Sequence, residues 1–285
     1  MTDLVNAKST AEIIKKYGFS FQKRFGQNFL IDEHVLEKII DAADIQKSDG
    51  VIEIGPGIGT MTRRLCERAA KVAAIEIDRE LIPILDETLS EYDNVMIINE
   101  DVMKTDISKI ISERFSGMPV KVVANLPYYI TTPIVMSLLE SHLPLESITV
   151  MVQKEVADRM KAQPGTKDYG ALSLAVAYYA DTYIAANVPP NCFMPRPKVG
   201  SSVIRLTVRS NPEVVPTDEK LMFDLIRAAF NQRRKTLVNA IANYPALSVT
   251  KQEVEEALRQ LDLPAAIRGE ALNLGQFAAL SNVLT

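Results

Sequence analysis

The feature that most constrains the fold is a short β-branched run at 51–54 that stops at Gly55-Pro56-Gly57. Residues 60–70 then show the apolar spacing of a helix, with Thr60 as its predicted N-terminal cap. A strand, a glycine turn and a helix in this order are typical of an open α/β sheet. Further compact apolar runs, separated by helical patterns, lie at 72–77, 95–98, 120–124 and 148–152. The sequence therefore predicts a parallel sheet with helices on both faces.

Two more strand candidates, 182–188 and 202–208, leave no room for a helix between them. We expect them to pair as a closing antiparallel element, because antiparallel neighbours need only a short connection. The prediction is an α/β fold with a seven-stranded, mostly parallel sheet and a small all-helical C-terminal domain.

Capping residues and prolines predict where the domains begin and end. Asp32 is expected to cap the first helix of the sheet domain, and Thr250 with Glu253 forms a capping box in the C-terminal part. Two prolines within 210–217 predict a linker. The predicted segments are an N-terminal arm at 1–31, a sheet domain at 32–209 and a helical domain at 210–285.

Composition excludes several classes of protein. The 285 residues are 47% apolar and 24% charged, which is ordinary for a soluble globular chain. The N-terminus lacks the apolar core of a secretory signal, and the longest uncharged apolar stretch, 171–180, is too short to span a bilayer, so a cytoplasmic protein without membrane segments is expected. Two separated cysteines, Cys66 and Cys192, and only two histidines predict neither a disulfide nor a metal site.

The net charge of −4 argues against a uniformly basic nucleic-acid binder. Positive charge is nevertheless concentrated in three stretches without acids, at 13–24, 193–209 and 225–235. Such a stretch is either a solvated surface or a phosphate-binding surface, and the charges alone leave both interpretations open.

The glycine turn and two later acids indicate a nucleotide-like ligand. Gly55 and Gly57 let a ligand approach backbone N–H groups at the end of the first strand. Glu76 lies about 20 residues after Gly55, where a carboxylate accepts ribose hydroxyls, and Asp101 follows the third strand, where it is expected to accept an adenine amino group. The spacing is GxGxG rather than the dinucleotide GxGxxG, and no GK[ST] ending is present. A ligand with one adenosine and no polyphosphate fits best, and S-adenosylmethionine is such a ligand.

The fourth strand ends in Asn125-Leu126-Pro127-Tyr128, which places polar groups at the ligand-binding edge of the sheet. The Asn125 side-chain oxygen, with the carbonyls of Pro127 and its neighbours, matches the two N–H donors of an adenine amino group. Tyr128 is expected to stack on that base. The competing interpretation is that Pro127 ends a strand and that Tyr128 and Tyr129 pack in the core.

Several motifs together resemble the ribosomal RNA adenine N6-dimethyltransferase family, and among its members the bacterial small-subunit (16S) enzymes. The motifs are KRFGQNFL at 23–30, EIGPGIGT at 53–60, Glu76-Ile77-Asp78, Glu100-Asp101-Val102, NLPY at 125–128, FMPRPKV at 193–199, FNQRRKTL at 230–237 and IRGEALNLGQFAAL at 267–280. The resemblance spans nearly the whole chain and implies a Rossmann-like, S-adenosylmethionine-dependent methyltransferase fold.

The resemblance also implies site residues. Cofactor contacts are predicted at Gln27, Asn28, Leu30, Gly55, Gly57, Glu76, Ile77, Asp101, Val102 and Asn125. Catalytic roles are predicted for Asn125, Leu126, Pro127, Tyr128 and Phe193. In the family, the GQNFL segment forms a lid over the cofactor, and Phe193 is expected to face Tyr128 across the target base.

The predicted macromolecular partner is small-subunit rRNA within a 30S precursor particle, bound by a monomer. RNA contacts are predicted at Lys23, Arg24, Arg196, Lys198, Arg233, Arg234 and Lys235. Three alternatives remain open from the residues: a large-subunit rRNA adenine methyltransferase, an NAD-dependent oxidoreductase, and a ribosome-assembly factor that binds RNA without catalysis.

Overall fold

A computed structural model describes residues 4–285, apart from the side chain of Lys23, so the predicted RNA contact at Lys23 lies outside the described part. The strands are β1 (Phe29–Leu30), β2 (Gly50–Ile54), β3 (Lys71–Ile75), β4 (Val95–Ile98), β5 (Val120–Asn125), β6 (Leu145–Gln153), β7 (Ala180–Val188), β8 (Phe193–Met194) and β9 (Ser201–Val208). The α-helices are α1 (Ala7–Lys16), α2 (Glu33–Ala43), α3 (Thr60–Arg68), α4 (Ile82–Thr88), α5 (Ile107–Arg114), α6 (Thr131–Glu140), α7 (Lys154–Lys161), α8 (Ala171–Tyr179), α9 (Glu219–Asn231), α10 (Leu237–Ala242), α11 (Lys251–Gln260) and α12 (Leu274–Leu284).

Seven strands form one sheet in the order β4-β3-β2-β5-β6-β9-β7, which confirms the predicted fold class. The first five are parallel to their neighbours, and β9 pairs antiparallel with β6. Every residue of β2 is buried, as expected for a strand that is covered on both faces.

The strand order reverses between β2 and β5, since β3 and β4 follow on one side and β6 on the other. Open α/β sheets bind ligands at such a reversal, beyond the carboxyl ends of the strands. Ile54 and Ala124 are register partners at the ends of these two strands. The glycine turn after β2 and the polar end of β5 therefore lie side by side.

The predicted arm contains structure that periodicity did not predict. Its helix α1 places Ile13 and Ile14 against an apolar cluster that includes Phe29 and Leu81. Further along, β1 pairs antiparallel with β8, with Leu30 opposite Phe193. Both strands have only two residues, too few for an alternating pattern to be recognised in the sequence.

The chain divides into two compact units, 1–157 with 182–208 and 158–181 with 209–285. The predicted boundary placed 158–181 in the sheet domain, whereas its contacts group it with the helices. Within the second unit, Tyr169 donates its hydroxyl to the Leu272 carbonyl at 2.7 Å. The hydroxyls of Tyr178 and Tyr179 both donate to Glu219. Segment 158–181 precedes the linker in sequence, so its place among the helices is a long-range property.

Two of the three predicted helix caps are present. The Asp32 carboxylate accepts the Val35 N–H, and the Thr250 hydroxyl accepts the Glu253 N–H in a capping box. Thr60 is not a cap, which corrects the prediction: Gly59 occupies that position with φ +87°, and Thr60 is the first helical residue. A residue with a Cβ rarely adopts that φ, which explains why glycine begins this helix.

No helix in the described part is long and apolar enough to cross a membrane. Both cysteines are buried and free. The Cys192 thiol lies 3.4 Å from an Asp32 carboxylate oxygen, and burial raises its pKa to about 11. Residues 4–285 contain no group of three potential metal ligands.

Candidate active site

A cleft of about 1150 Å³, including its open mouth, lies in the first unit at the carboxyl edge of the sheet. Segments from the arm, the glycine turn and the ends of β3, β4 and β5 line it. The predicted residues that it brings together are Gln27, Asn28, Leu30, Gly55, Gly57, Glu76, Ile77, Asp101, Val102, Asn125, Leu126, Pro127 and Tyr128. Phe193 is the predicted catalytic residue that does not line it.

The glycines of the turn have different roles. A Cβ placed on Gly55 would meet only the Asn125 carbonyl oxygen, at 3.7 Å, so the space above this residue is open to a ligand. A Cβ on Gly59 would lie 2.8 Å from the Thr88 hydroxyl oxygen, so this glycine is required by packing. Ligand approach and tight packing are thus separate reasons for glycine within one turn.

Glu76 directly follows β3 and points a buried carboxylate toward the turn. One oxygen accepts the Gly57 N–H at 3.3 Å and the other accepts the Asp78 N–H at 2.8 Å. Burial raises the pKa of Glu76 to about 7, although these two hydrogen bonds act in the opposite direction. The group is an acceptor held at a fixed position in the cleft.

Asp101 lies beyond the end of β4 and is partly exposed. Its Oδ1 accepts the Met103 N–H at 3.0 Å, and its Oδ2 has no donor among the described residues. The free oxygen makes Asp101 a suitable acceptor for an exocyclic amine. Ile77, which also lines the cleft, is 44% exposed and offers an apolar surface for a ring.

Glu53 was not predicted as a site residue, yet it lines the cleft from within β2. Its side chain is fully buried, and its carboxyl oxygens make no hydrogen bond of normal geometry among the described residues, although the nearby Thr62 hydroxyl acts to lower its pKa. Burial, with the nearby charge of Glu76, raises the pKa of Glu53 to about 8. An acid inside an otherwise apolar buried strand was the available sequence signal, because such a residue is rarely tolerated without a reason.

The Asn125 amide has a defined orientation. Its nitrogen donates to the Asn28 carbonyl at 3.1 Å, and since a carbonyl can only accept, this contact assigns the nitrogen and the oxygen of the amide. Oδ1 is left without a donor among the described residues. The amide oxygen is therefore available as an acceptor at the end of β5.

The Pro127 carbonyl does not fit its predicted role as an outward acceptor. It already accepts the Thr131 hydroxyl at 3.0 Å and the Ile130 N–H at 3.2 Å, which begin the turn into α6. The Leu126 carbonyl has no such partner in the described chain. Asn125 Oδ1 and Leu126 O are therefore the candidate acceptors at this edge, because neither accepts a hydrogen bond in the described chain.

The two tyrosines lie at the cleft and not in the core, in contrast to the competing interpretation. Tyr128 is half-buried, and its hydroxyl is 2.7 Å from the Ser201 hydroxyl at the start of β9. Burial raises the pKa of Tyr128, which keeps the hydroxyl neutral. Tyr129 is 61% exposed. Ser201 was not predicted, and its contact holds the hydroxyl end of the Tyr128 side chain in place.

Phe193 is 4% exposed and belongs to an apolar cluster with Leu30 and Val35. A base can stack on this ring only after the ring is uncovered. Its position opposite Tyr128 across a base stays a prediction.

The predicted RNA-contacting residues differ in their availability. Those with exposed side chains are Arg24, Arg196, Lys198, Arg234 and Lys235. Arg233 is engaged within its own unit: its guanidinium donates to Glu270 at 2.7 Å and to the carbonyls of Lys167 and Thr166. These contacts hold Arg233 within its own unit, and its contact with RNA stays a prediction.

Next to the edge strand β7, β9 runs antiparallel to its other neighbour β6, and the strands β2, β3 and β4 are followed by the glycine turn, Glu76 and Asp101. These features define a Rossmann-like, S-adenosylmethionine-dependent methyltransferase. The profile of the family "Ribosomal RNA adenine dimethylase" matches residues 18–278, and the chain belongs to this family. The chain is 63% identical over 285 residues to "Ribosomal RNA small subunit methyltransferase A" of Lachnoclostridium phytofermentans, covering 100% of this chain and 98% of the relative.

Two solved structures are similar over most of the chain. A dimethyladenosine transferase from Plasmodium falciparum has a TM-score of 0.75 at 29% identity, with 88% of this chain and 95% of that chain covered. The 23S rRNA methyltransferase ErmE has a TM-score of 0.67 at 26% identity, with 90% and 99% covered. The fold and the family resemblance expected from the sequence are both confirmed.

Proposed function

We propose that this protein transfers methyl groups from S-adenosylmethionine to N6 of adenosines in small-subunit rRNA and forms N6,N6-dimethyladenosine. The observation that carries the proposal is the oriented Asn125 amide beside the open Gly55 turn, brought together by the register of β2 and β5. A methyl donor in the turn and an amine at the strand end would then be adjacent.

The side chains in the cleft fit the cofactor. Glu76 offers a buried carboxylate for ribose hydroxyls, Asp101 Oδ2 offers an acceptor for the adenine amine, and Gly55 leaves room above the turn. Glu53 adds two unpartnered buried oxygens at the same cleft, which suit a polar group of the ligand. The cofactor supplies an electrophilic methyl group on a sulfonium.

Asn125 Oδ1 and Leu126 O activate the amine by geometry. The adenine N6 lone pair is delocalised into the ring, so the nitrogen is a weak nucleophile. Two acceptors that hold both N–H groups favour a tetrahedral nitrogen whose lone pair points away from the ring, toward the donor methyl. The product ammonium loses a proton afterwards, so no ionised base is required. After the first transfer one N–H remains, and either acceptor can hold it for the second.

Tyr128 provides a surface on which the target base can stack. Removing a base from an RNA stack costs a few kcal/mol, and stacking on an aromatic side chain returns about 1 to 3 kcal/mol. The hydrogen bond to Ser201 restricts the ring before the base arrives.

The substrate assignment rests on the family and on the small-subunit name of the relative that is 63% identical. The proposal extends to two adjacent adenosines near the 3′ end of 16S rRNA in a 30S precursor, to a cytoplasmic location and to a monomer. The roles of the N-terminal segment as a lid and of the helical unit as an RNA-binding domain are part of it.

The test is incubation of the protein with labelled S-adenosylmethionine and under-methylated small or large ribosomal subunits, followed by nucleoside analysis. We expect N6,N6-dimethyladenosine in the small-subunit RNA only, and loss of label with Asn125→Ala. Label confined to large-subunit RNA would overturn the substrate, and binding of NAD in place of S-adenosylhomocysteine would overturn the class.

A further inference from the structure

Asp78 lies two residues after Glu76 and is only 2% exposed, yet its carboxylate is directed to the N-terminal segment. Its Oδ2 accepts the Gln27 side-chain N–H at 2.6 Å, and its Oδ1 accepts the Gln22 side-chain N–H at 3.3 Å. Oδ1 also accepts the Glu80 N–H at 3.1 Å. One carboxylate therefore joins the sheet edge to two points of the N-terminal segment, of which residues 25–30 line the cleft.

The other end of the Gln27 amide is also in use. Its Oε1 accepts the Gln22 backbone N–H at 3.0 Å. Both polar ends of Gln27 are thus committed to protein partners, although the residue lines the cleft. These contacts of the Gln27 amide shape the segment leading to Asn28, and the predicted cofactor contact at Gln27 stays a prediction.

The backbone of Asp78 contacts Glu76, the candidate for binding the ribose hydroxyls. The Asp78 N–H donates to Glu76 Oε1 at 2.8 Å. A continuous series of hydrogen bonds therefore runs from the Gly57 N–H through Glu76 and Asp78 to Gln27.

The buried Asp78 carboxylate depends on the hydrogen bonds that it accepts. The partners of the Asp78 carboxylate among the described residues are neutral N–H groups, so a buried charge is compensated by hydrogen bonds alone. Removing one donor leaves part of that charge unsatisfied, which is costly in a buried site.

We propose that Asp78 is a positioning residue, which fastens residues 22–27 over the cleft and aligns Glu76 by the same contacts. Cofactor binding and closure of the N-terminal segment are then coupled, and each favours the other by the same factor. This inference rests on the proposed function for the identity of the ligand, but the fastening itself is independent of it.

The test uses a reciprocal exchange of donor and acceptor. Asp78→Asn places an amide nitrogen against a donor in either orientation, the Gln27 N–H or the Gln22 and Glu80 N–H groups. Gln27→Glu places two carboxylates 2.6 Å apart in the present geometry. The double variant restores a donor–acceptor pair at unchanged net charge, and Glu at 27 still accepts the Gln22 N–H. The matched control is Asp44→Asn with Gln46→Glu, an exposed Asp–Gln pair at 2.9 Å that does not line the cleft.

Affinity for S-adenosylhomocysteine is measured by calorimetry, and hydrogen exchange is measured at the amides of residues 22–30. We expect each single variant to weaken binding roughly ten-fold or more and to raise exchange, because a hydrogen bond to a buried charge is lost. The double variant should return to within about three-fold of wild type. The KM for the cofactor should rise while the KM for RNA changes little.

Additive effects of the two substitutions in both readouts would overturn the proposal. If Asp78→Asn fails to fold, Gln27→Glu alone tests the proposal. Unchanged hydrogen exchange at residues 22–30 in Gln27→Glu would overturn the proposal. Failure of the wild-type protein to bind S-adenosylhomocysteine, with exchange still responding to the variants, refutes the proposed function and leaves the fastening intact.

Discussion

At the scale of single residues, Glu53 and Glu76 are two buried carboxyl groups within one cleft, with pKa values raised to about 8 and about 7. The folded state holds these protons at a pH where the unfolded chain has released them. The free energy of unfolding is therefore highest below about pH 4.5 for these groups and falls as pH rises toward 8. This dependence is opposite to that of a carboxylate in an ion pair.

Replacing Glu53 by Gln should remove much of the fall in unfolding free energy that occurs as the pH rises. The amide cannot ionise, so we expect the variant to exceed the wild type in unfolding free energy by about 1 to a few kcal/mol near pH 8, with little difference near pH 5. Urea unfolding across this pH range measures it. Glu91→Gln, at an exposed glutamate, is the control. Equal pH slopes for wild type and Glu53→Gln would contradict the buried-proton account.

Tyr128 is predicted to act through its ring and not through its hydroxyl. Tyr128→Ala should lower kcat/KM for RNA roughly 5- to 150-fold, since stacking is worth about 1 to 3 kcal/mol, whereas Tyr128→Phe should stay within about five-fold. Steady-state methylation of small subunits measures both. A loss in Tyr128→Phe as large as in Tyr128→Ala would show that the contact with Ser201, rather than stacking, is what matters.

At the scale of elements, the Thr250–Glu253 box is a local signal that the structure contains. Thr250→Ala should reduce the unfolding free energy of the helical unit by about 1 kcal/mol, because a terminal N–H of α11 loses its partner. Chemical denaturation followed by helical circular dichroism checks this value. Ser248→Ala, at an exposed position outside the helix, should change stability by less than about 0.5 kcal/mol. Equal effects of both substitutions would rule out the cap as the cause.

The elements that sequence could predict are those with a local cause. Apolar runs and turn residues were sufficient for the sheet strands, and Asp32 and Thr250 for two helix starts. The pairing of Leu30 with Phe193 could not be predicted from the sequence, because it joins two very short strands that are far apart in the chain. The place of α8 depends on tyrosine contacts with Glu219, which no periodicity encodes.

The same distinction applies to the site. The residue types at the strand ends predicted the cleft lining, since parallel strands end at one edge. Which of the predicted carbonyls is available was not predictable: the Pro127 carbonyl accepts two hydrogen bonds in the turn into α6, whereas the Leu126 carbonyl has no partner in the described chain. The burial of Phe193 and the hydrogen bond of Arg233 to Glu270 likewise depend on tertiary contacts, which the local sequence does not reveal.

At the scale of the whole molecule, a net charge of −4 coexists with exposed cations in separate stretches. For the proposed RNA substrate, Arg234→Gln with Lys235→Gln should make the plot of log affinity against log salt less steep by about 1.4 to 1.8, as two phosphate contacts are lost. Filter binding across a salt series measures the slope. Lys251→Gln, an exposed control, should leave it unchanged.

Arg233→Gln should behave differently from its neighbours. Its guanidinium is held by Glu270 and two backbone carbonyls, so the expected result is a lower Tm with a nearly unchanged salt slope. A salt slope reduced as much as by Arg234→Gln, at an unaltered Tm, would assign Arg233 to the RNA surface.

The two cysteines have a practical consequence for experiments on this chain. Cys66 and Cys192 are both buried, and burial raises their pKa values to about 12 and about 11, so neither thiol reacts readily with alkylating dyes near neutral pH. A fluorophore attached through one new surface cysteine would thus report from a single known place, and the native thiols need not be removed first.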